Sequence, residues 1–146
     1  MTTLSAILDL KGKEVFATTP DTTVREAVDE MCRHKVGALL VKEGEAPIGI
    51  VSERDVLSRV VLEGRDARLT TVRDVMTPEV VCVNLTASPA EAMSIMTARR
   101  CRHLPVVVER RIVGMLSIGD LVRWASHNQS YEIQMLHEYL SGKYPG

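Results

Sequence analysis

Apolar and polar positions fall along this chain in two matching series. In the first, a short apolar run from Val15 to Thr18 precedes a segment where Val24, Ala27, Val28, Met31 and Cys32 recur at i, i+3, i+4, i+7 and i+8, the spacing of one helix face. Two continuous apolar runs follow, Val36 to Val41 and Ile48 to Val51, divided by a polar turn and short enough for buried strands. Val56, Leu57, Val60 and Val61 then mark a second helix with one apolar face. The second series repeats this with Val80 to Val83, then Pro89, Ala92, Met93 and Met96, then Leu104 to Val108, Ile112 to Leu116, and finally Leu121, Val122 and Ala125. A short helical turn opens each series, Leu4 to Leu10 or Val72 to Met76. Thr23-Val24-Arg25-Glu26 and Ser88-Pro89-Ala90-Glu91 read as capping boxes that start the long helices, the second with proline at the first helical position.

The correspondence is an internal duplication. An offset of 65 residues lays Gly49 on Gly114 and holds without a gap from residue 6 to about residue 60, with identities that include Asp9/Asp74, Glu26/Glu91, Met31/Met96, Ser52/Ser117 and Asp55/Asp120. The predicted architecture is α+β, with two β-α-β-β-α repeats over residues 1–64 and 65–126 and a polar connector, Glu63 to Arg68, at their junction. A repeat of about 60 residues hides too little surface to be stable alone, so the two are expected to pack through their sheets about a pseudo-twofold axis and share one core. Residues 127–146 depart from the repeat and predict a C-terminal helix, with Ile133, Leu136 and Leu140 at i, i+3 and i+7; it must dock on its own core or on a second copy of the chain.

Composition narrows the class without changing the pattern. The chain has 146 residues, 45% hydrophobic and 25% charged, with a net charge of -1. That balance fits a soluble globular domain and supplies no global field for nucleic acid or an anionic membrane. Arg99, Arg100, Arg102, Arg110 and Arg111 are the one local basic cluster. Three widely spaced cysteines with no C-x-x-C pair fit reduced thiols, and hence a cytoplasmic protein, with Cys32 and Cys82 expected on buried apolar faces. No signal-peptide pattern opens the chain, and no apolar run approaches the ~18 residues of a membrane span. His34, His127 and His137 lack metal-ligand spacing, and no nucleophile and base pair has a recognisable arrangement, so neither a metal nor catalysis is expected.

Candidate chemistry lies in the twin stretches Gly49-Ile50-Val51-Ser52-Glu53-Arg54-Asp55 and Gly114-Met115-Leu116-Ser117-Ile118-Gly119-Asp120. Each reads as a strand that turns through serine into a helix, which aims helix-start amides and the positive end of the helix dipole at one spot suited to a phosphate. Ser-x-x-Asp is also an N-terminal cap, in which hydroxyl and acid satisfy the helix's own first amides. Both readings stay open on the residues alone.

These stretches, with Val72-Arg73-Asp74-Val75-Met76-Thr77-Pro78 and Arg102-His103-Leu104-Pro105-Val106, resemble a tandem pair of cystathionine β-synthase (CBS) domains, a Bateman module, over residues 1 to about 126. The first repeat departs from the opening pattern, with Asp9-Leu10-Lys11-Gly12 where Asp-h-Met-Thr would stand. The resemblance implies a stand-alone sensor without catalysis that binds AMP, ADP, ATP, NAD(H) or S-adenosylmethionine, with AMP the first choice, and reports it to a protein partner. It also implies a homodimer. Carried over by position, Asp120 and Asp55 would hold the ribose diol, Ser117 and Ser52 the phosphate, and Arg102 and His103 would add positive charge at the α-phosphate, with Arg54 a further candidate. Thr22, Ala27, Pro47 and Ile48 would complete the Ser117/Asp120 pocket, and Ala92, Ile112 and Val113 the mirror pocket. Ala87 stands where Thr22 stands in the first, so the first pocket is expected to bind more tightly. The alternative is a ligand-free scaffold or dimerisation protein whose Ser-x-x-Asp motifs are helix caps only.

Overall fold

The structure, a computed structural model, describes residues 2–126; the C-terminal helix expected over Tyr131 to Leu140 lies outside the described residues. The chain sorts into two compact units that do not follow the order of the repeats. Unit 1 joins the chain up to Glu14 with the chain from Val81 onward, and unit 2 runs from Val15 to Val80. Each repeat thus gives its opening segment to the unit built on the other repeat: helix α1 (Leu4–Lys11) belongs to unit 1 and helix α4 (Val72–Val75) to unit 2.

Unit 2 contains β1 (Ala17–Thr18), α2 (Val24–His34), β2 (Ala38–Glu43), β3 (Ala46–Ser52), α3 (Glu53–Val56) and a π-helical segment, Leu57–Val61. Its sheet has the order β1-β2-β3, with β1 parallel and β3 antiparallel to β2. Unit 1 contains β4 (Val83–Asn84), α5 (Pro89–Arg99), β5 (His103–Val108), β6 (Arg111–Ser117) and α6 (Ile118–Ala125), with β4-β5-β6 paired in the same senses. The 65-residue register extends to irregularities: the β2–β3 ladder shifts between Val41 and Lys42, and the β5–β6 ladder between Val106 and Val107. Both long helices end on a left-handed residue, Lys35 at φ 57° and Arg100 at φ 53°. Both start as expected, with Thr23 and Ser88 side chains accepting from the amides of Glu26 and Glu91 at 3.2 and 3.1 Å.

Each unit buries an apolar core. Unit 2 buries Val24, Ala27, Met31, Leu39, Val41, Val51, Val60, Val72 and Val75. Unit 1 buries Leu4, Ile7 and Leu8 of α1 among Met93, Met96, Leu104, Leu116 and Leu121. An eight-residue helix is unstable by itself in water. Docking holds α1 in place: Leu4, Ile7 and Leu8 are at most 2% exposed, worth about 1.5–3 kcal/mol each, and the Leu4 amide donates to the Ala87 carbonyl at 2.9 Å.

The glycine that opens each Ser-x-x-Asp stretch makes room for the exchanged segment. A Cβ on Gly49 would lie 2.7 Å from the Thr77 carbonyl oxygen, and one on Gly114 would lie 2.7 Å from Leu8 Cδ1. In unit 2 the approach is fixed by backbone bonds, Ile50 N to Thr77 O at 3.0 Å and Thr77 N to Ile50 O at 2.8 Å.

Two expectations are corrected. The helix after Ser52 does not bury one continuous apolar face, because its last turns are π-helical, which rotates successive side chains by less than an α-helix does. Val60 is buried, whereas Leu57 and Val61 are 63% and 66% exposed. Cys32 and Cys82 are exposed, and Cys101 is half-buried; Cys32 sits at the edge of the α2 stripe that Val24, Ala27 and Met31 bury. Among the described residues no helix is long and apolar enough to cross a membrane, and no group of three or more His, Cys, Asp or Glu side chains could hold a metal ion.

Candidate functional site

Both Ser-x-x-Asp stretches form complete capping boxes. The Asp55 amide donates to Ser52 Oγ at 3.3 Å while the Ser52 amide donates to Asp55 Oδ2 at 2.9 Å. The Asp120 amide donates to Ser117 Oγ at 3.1 Å and the Ser117 amide to Asp120 Oδ2 at 2.8 Å. The first helical amides are also taken, Glu53 N by the Gly37 carbonyl and Ile118 N by the Arg102 carbonyl, at 3.0 and 2.9 Å. The helix starts are therefore less open to a phosphate than sequence spacing suggests. Both acids are nonetheless buried, Asp55 at 8% and Asp120 at 6% exposure. A carboxylate leaves water at a cost unless it is paired and hydrogen-bonded, and the two corners meet that cost with different partners.

At Asp55 the further partners are mostly neutral. Ser52 Oγ donates to Oδ2 at 3.1 Å and Thr77 Oγ1 donates to Oδ1 at 3.2 Å. Arg59 stands 3.9 Å from Oδ1 but donates to the carbonyls of Val75 and Met76, each at 2.9 Å. Arg54, proposed from sequence beside Asp55, is exposed.

At Asp120 the partners are cations. Lys11 Nζ, at the end of α1, donates to Oδ2 at 2.5 Å and also to the Met115 carbonyl; Arg123 donates to Oδ1 at 2.5 Å. Burial pushes the Asp120 carboxyl up, but the hydrogen bonds from Lys11 and Ser117 and the charge of Lys11 outweigh it and hold the group below its ordinary value. Lys11 is the residue at which the first repeat leaves the expected opening. Its counterpart at the 65-residue offset is Met76, so only one corner has the ammonium.

Arg102 and His103 lie at the start of β5, with His103 paired across the ladder to Ser117. Burial first, and then the Lys11 charge, push His103 down to about 4. A value that low favours the neutral imidazole near pH 7. Arg102 has a buried Nε with no hydrogen-bond partner among the described residues. Unit 2 has Gly37 and Ala38 at the matching positions.

The remaining proposed residues divide between the units. In unit 2, Thr22 is half-buried with its hydroxyl 2.8 Å from that of Thr19, Ala27 is in the core, Pro47 is exposed and Ile48 half-buried. In unit 1, Ala92 is in the core and Ile112 and Val113 are half-buried. The side chains of Ala27 and Ala92 thus pack inside their own units. Sequence reasoning missed Lys11, Thr77, Arg59 and Arg123 as partners of the two acids. The sequence signals for them are the departure of Lys11 from the opening pattern, the place of Thr77 in the Val72 to Pro78 motif, and the i+4 and i+3 spacing of Arg59 and Arg123 from the acids.

Comparison with known proteins agrees with this duplicated plan. The model of the CBS domain matches residues 7–62 and 72–127. The chain is 41% identical to the CBS domain-containing protein CBSX3, mitochondrial, of Arabidopsis thaliana, covering 98% of this chain and 74% of that protein. It is 33% identical to the CBS domain-containing protein YhcV of Bacillus subtilis, covering 87% and 90%. Among solved structures, a protein with CBS domains from Burkholderia ambifaria MC40-6 superposes with a TM-score of 0.84 at 38% identity, covering 88% of this chain and 96% of that one. The CBS-domain containing protein ATU1752 from Agrobacterium tumefaciens gives 0.80 at 35%, covering 84% and 98%. With two matched repeats, two capped acid corners and this degree of likeness, the chain belongs to the CBS domain family as a tandem pair.

Proposed function

We propose that this CBS pair is a regulatory module in signal transduction whose Ser-x-x-Asp corners hold adenosine-containing nucleotides, AMP first, with ATP or NAD(H) as alternatives, and report them to a protein partner. The observation that supports this most is the composition of the unit 1 corner. A buried carboxylate, suited to accept from a ribose diol, is joined by Lys11, Arg102 and Arg123, more positive charge than the acid neutralises. A phosphorylated sugar presents the matching pair of groups, diol and anion.

Thermal melting tests the proposal. At a ligand concentration of about 100 Kd, binding adds about 2.7 kcal/mol and raises the melting temperature by several degrees. AMP, ATP or NAD(H) should produce that rise, and Asp120→Ala should remove most of it. No rise with any of them, S-adenosylmethionine included, would overturn the proposal.

One observation favours a second reading, a ligand-free scaffold: both capping boxes are complete without a ligand. On that reading Asp120→Ala costs about 1 kcal/mol as a lost cap and changes no ligand response. We also propose a homodimer. Leu57, Val61 and Leu62 of unit 2, 63%, 66% and 82% exposed, offer apolar surface for a second copy.

A further inference from the structure

We propose that Lys11 is the specificity-determining residue of the Asp120 corner: it occupies the acid in the free protein and moves to the phosphate of an incoming nucleotide, so that the corner accepts phosphorylated nucleosides and refuses bare ones. This rests on the nucleotide reading above and deepens it.

The first support is a count of acceptor sites. A carboxylate oxygen has two lone-pair directions. Asp120 Oδ2 uses both, one on the Ser117 amide and one on Lys11, while Oδ1 takes Arg123. A vicinal diol that bridges the two oxygens must displace a donor from Oδ2. The Ser117 amide is fixed by the helix cap, which leaves Lys11.

The second support is where Lys11 can go. Its side chain is 31% exposed, so the ammonium has a path out of the pair. The Arg102 carbonyl accepts from the Ile118 amide at 2.9 Å, which puts that residue at the same helix start, and the charges of Lys11 and Arg102 both act on His103. Arg102 has a buried Nε with no partner among the described residues. An anion at that point gains two cations at once, and it compensates Lys11 for the bond lost to Asp120. A bare nucleoside offers no such compensation.

The third support is the contrast with unit 2. There Asp55 receives hydroxyls from Ser52 and Thr77, which can rotate toward a ligand without leaving a charge unpaired. Met76 stands in place of Lys11, and Gly37 in place of Arg102. The Asp55 corner lacks the lock, and it should tolerate adenosine and AMP with less discrimination.

The test uses NMR titrations of the whole chain with AMP and with adenosine. Amides of Ser117 to Asp120 report one corner and those of Ser52 to Asp55 the other. The wild type should bind AMP at the Asp120 corner at least tenfold more tightly than adenosine. Lys11→Met, which installs the residue of the other repeat, should strengthen adenosine there about tenfold and weaken AMP about tenfold, as expected for one charge-assisted bond exchanged. Lys11→Arg should retain the preference for AMP. If AMP shifts the Ser117 to Asp120 amides but Lys11→Met leaves the AMP-to-adenosine ratio unchanged, Lys11 is not the determinant and the nucleotide reading stands. If neither ligand shifts either corner, this proposal falls, and the nucleotide reading falls with it when ATP, NAD(H) and S-adenosylmethionine shift neither corner as well.

Discussion

Lys11 Nζ and Asp120 Oδ2 stand 2.5 Å apart although 109 positions separate them in the chain. The pair ties the last turn of a short docked helix to a buried acid at the start of another. Lys11 is placed by Leu4, Ile7 and Leu8, whose burial fixes where α1 ends.

That pair sets an acid limit on stability. Asp120 lies below its ordinary value of 3.8 in the fold, so its contribution is complete above that value and disappears as pH falls through the depressed one. Lys11→Met removes the strongest opposing influence on a buried carboxyl. Denaturant unfolding followed from about pH 6 to about pH 2 should show the variant less stable at pH 6 and giving up less of its stability as pH falls, because its Asp120 is held less far below 3.8. Superimposable profiles would mean the pair does not form.

His103 predicts a second slope. Its value near 4 in the fold lies below the 6.5 of an unperturbed imidazole. Between these limits the unfolded chain binds the proton and the folded one does not, so stability falls as pH drops from about 6.5 toward about 4. Imidazole NMR should show His103 neutral through the physiological range, and His103→Gln should flatten the slope.

The two glycines differ in what an added methyl meets. Gly49→Ala drives a Cβ against the Thr77 carbonyl, which two backbone bonds hold in place, and against Met76 Sδ at 2.9 Å. Gly114→Ala first meets the Leu8 side chain, at 2.7 Å from Cδ1. Overpacking of this kind costs about 1–3 kcal/mol, and Gly49→Ala should lie at the upper end with Gly114→Ala below it. Equilibrium unfolding of both variants measures the order.

Much of the fold was legible because duplication writes the same pattern twice. The hairpins, both long helices and their caps follow from apolar spacing and from Thr23, Ser88, Ser52 and Ser117. The exchange of opening segments was not legible, since Leu4, Ile7 and Leu8 look equally suited to either core. Nor was the π-helical turn, because Leu57 and Val61 have the spacing of a buried α-helical face. Both acids were found from Ser-x-x-Asp; Arg59 and Arg123 stand at helical i+4 and i+3 spacing from them, whereas Lys11 and Thr77 are brought in by tertiary packing, which local spacing does not encode.

Exposed Leu57, Val61 and Leu62 make the proposed dimer testable. Sedimentation velocity should show a dimer for the wild type, and Val61→Asp should shift it toward monomer, because a carboxylate would have to be buried unpaired. An unchanged sedimentation coefficient would place the contact elsewhere.

In the proposed function the buried acid at each corner holds an adenine nucleotide. Equilibrium dialysis of labelled AMP against the wild type and against the Asp55→Ala/Asp120→Ala double variant addresses it directly. Saturable uptake by the wild type that the double variant loses while keeping its folded circular-dichroism spectrum is the predicted result. Equal uptake by both proteins, or none by the wild type, would contradict it.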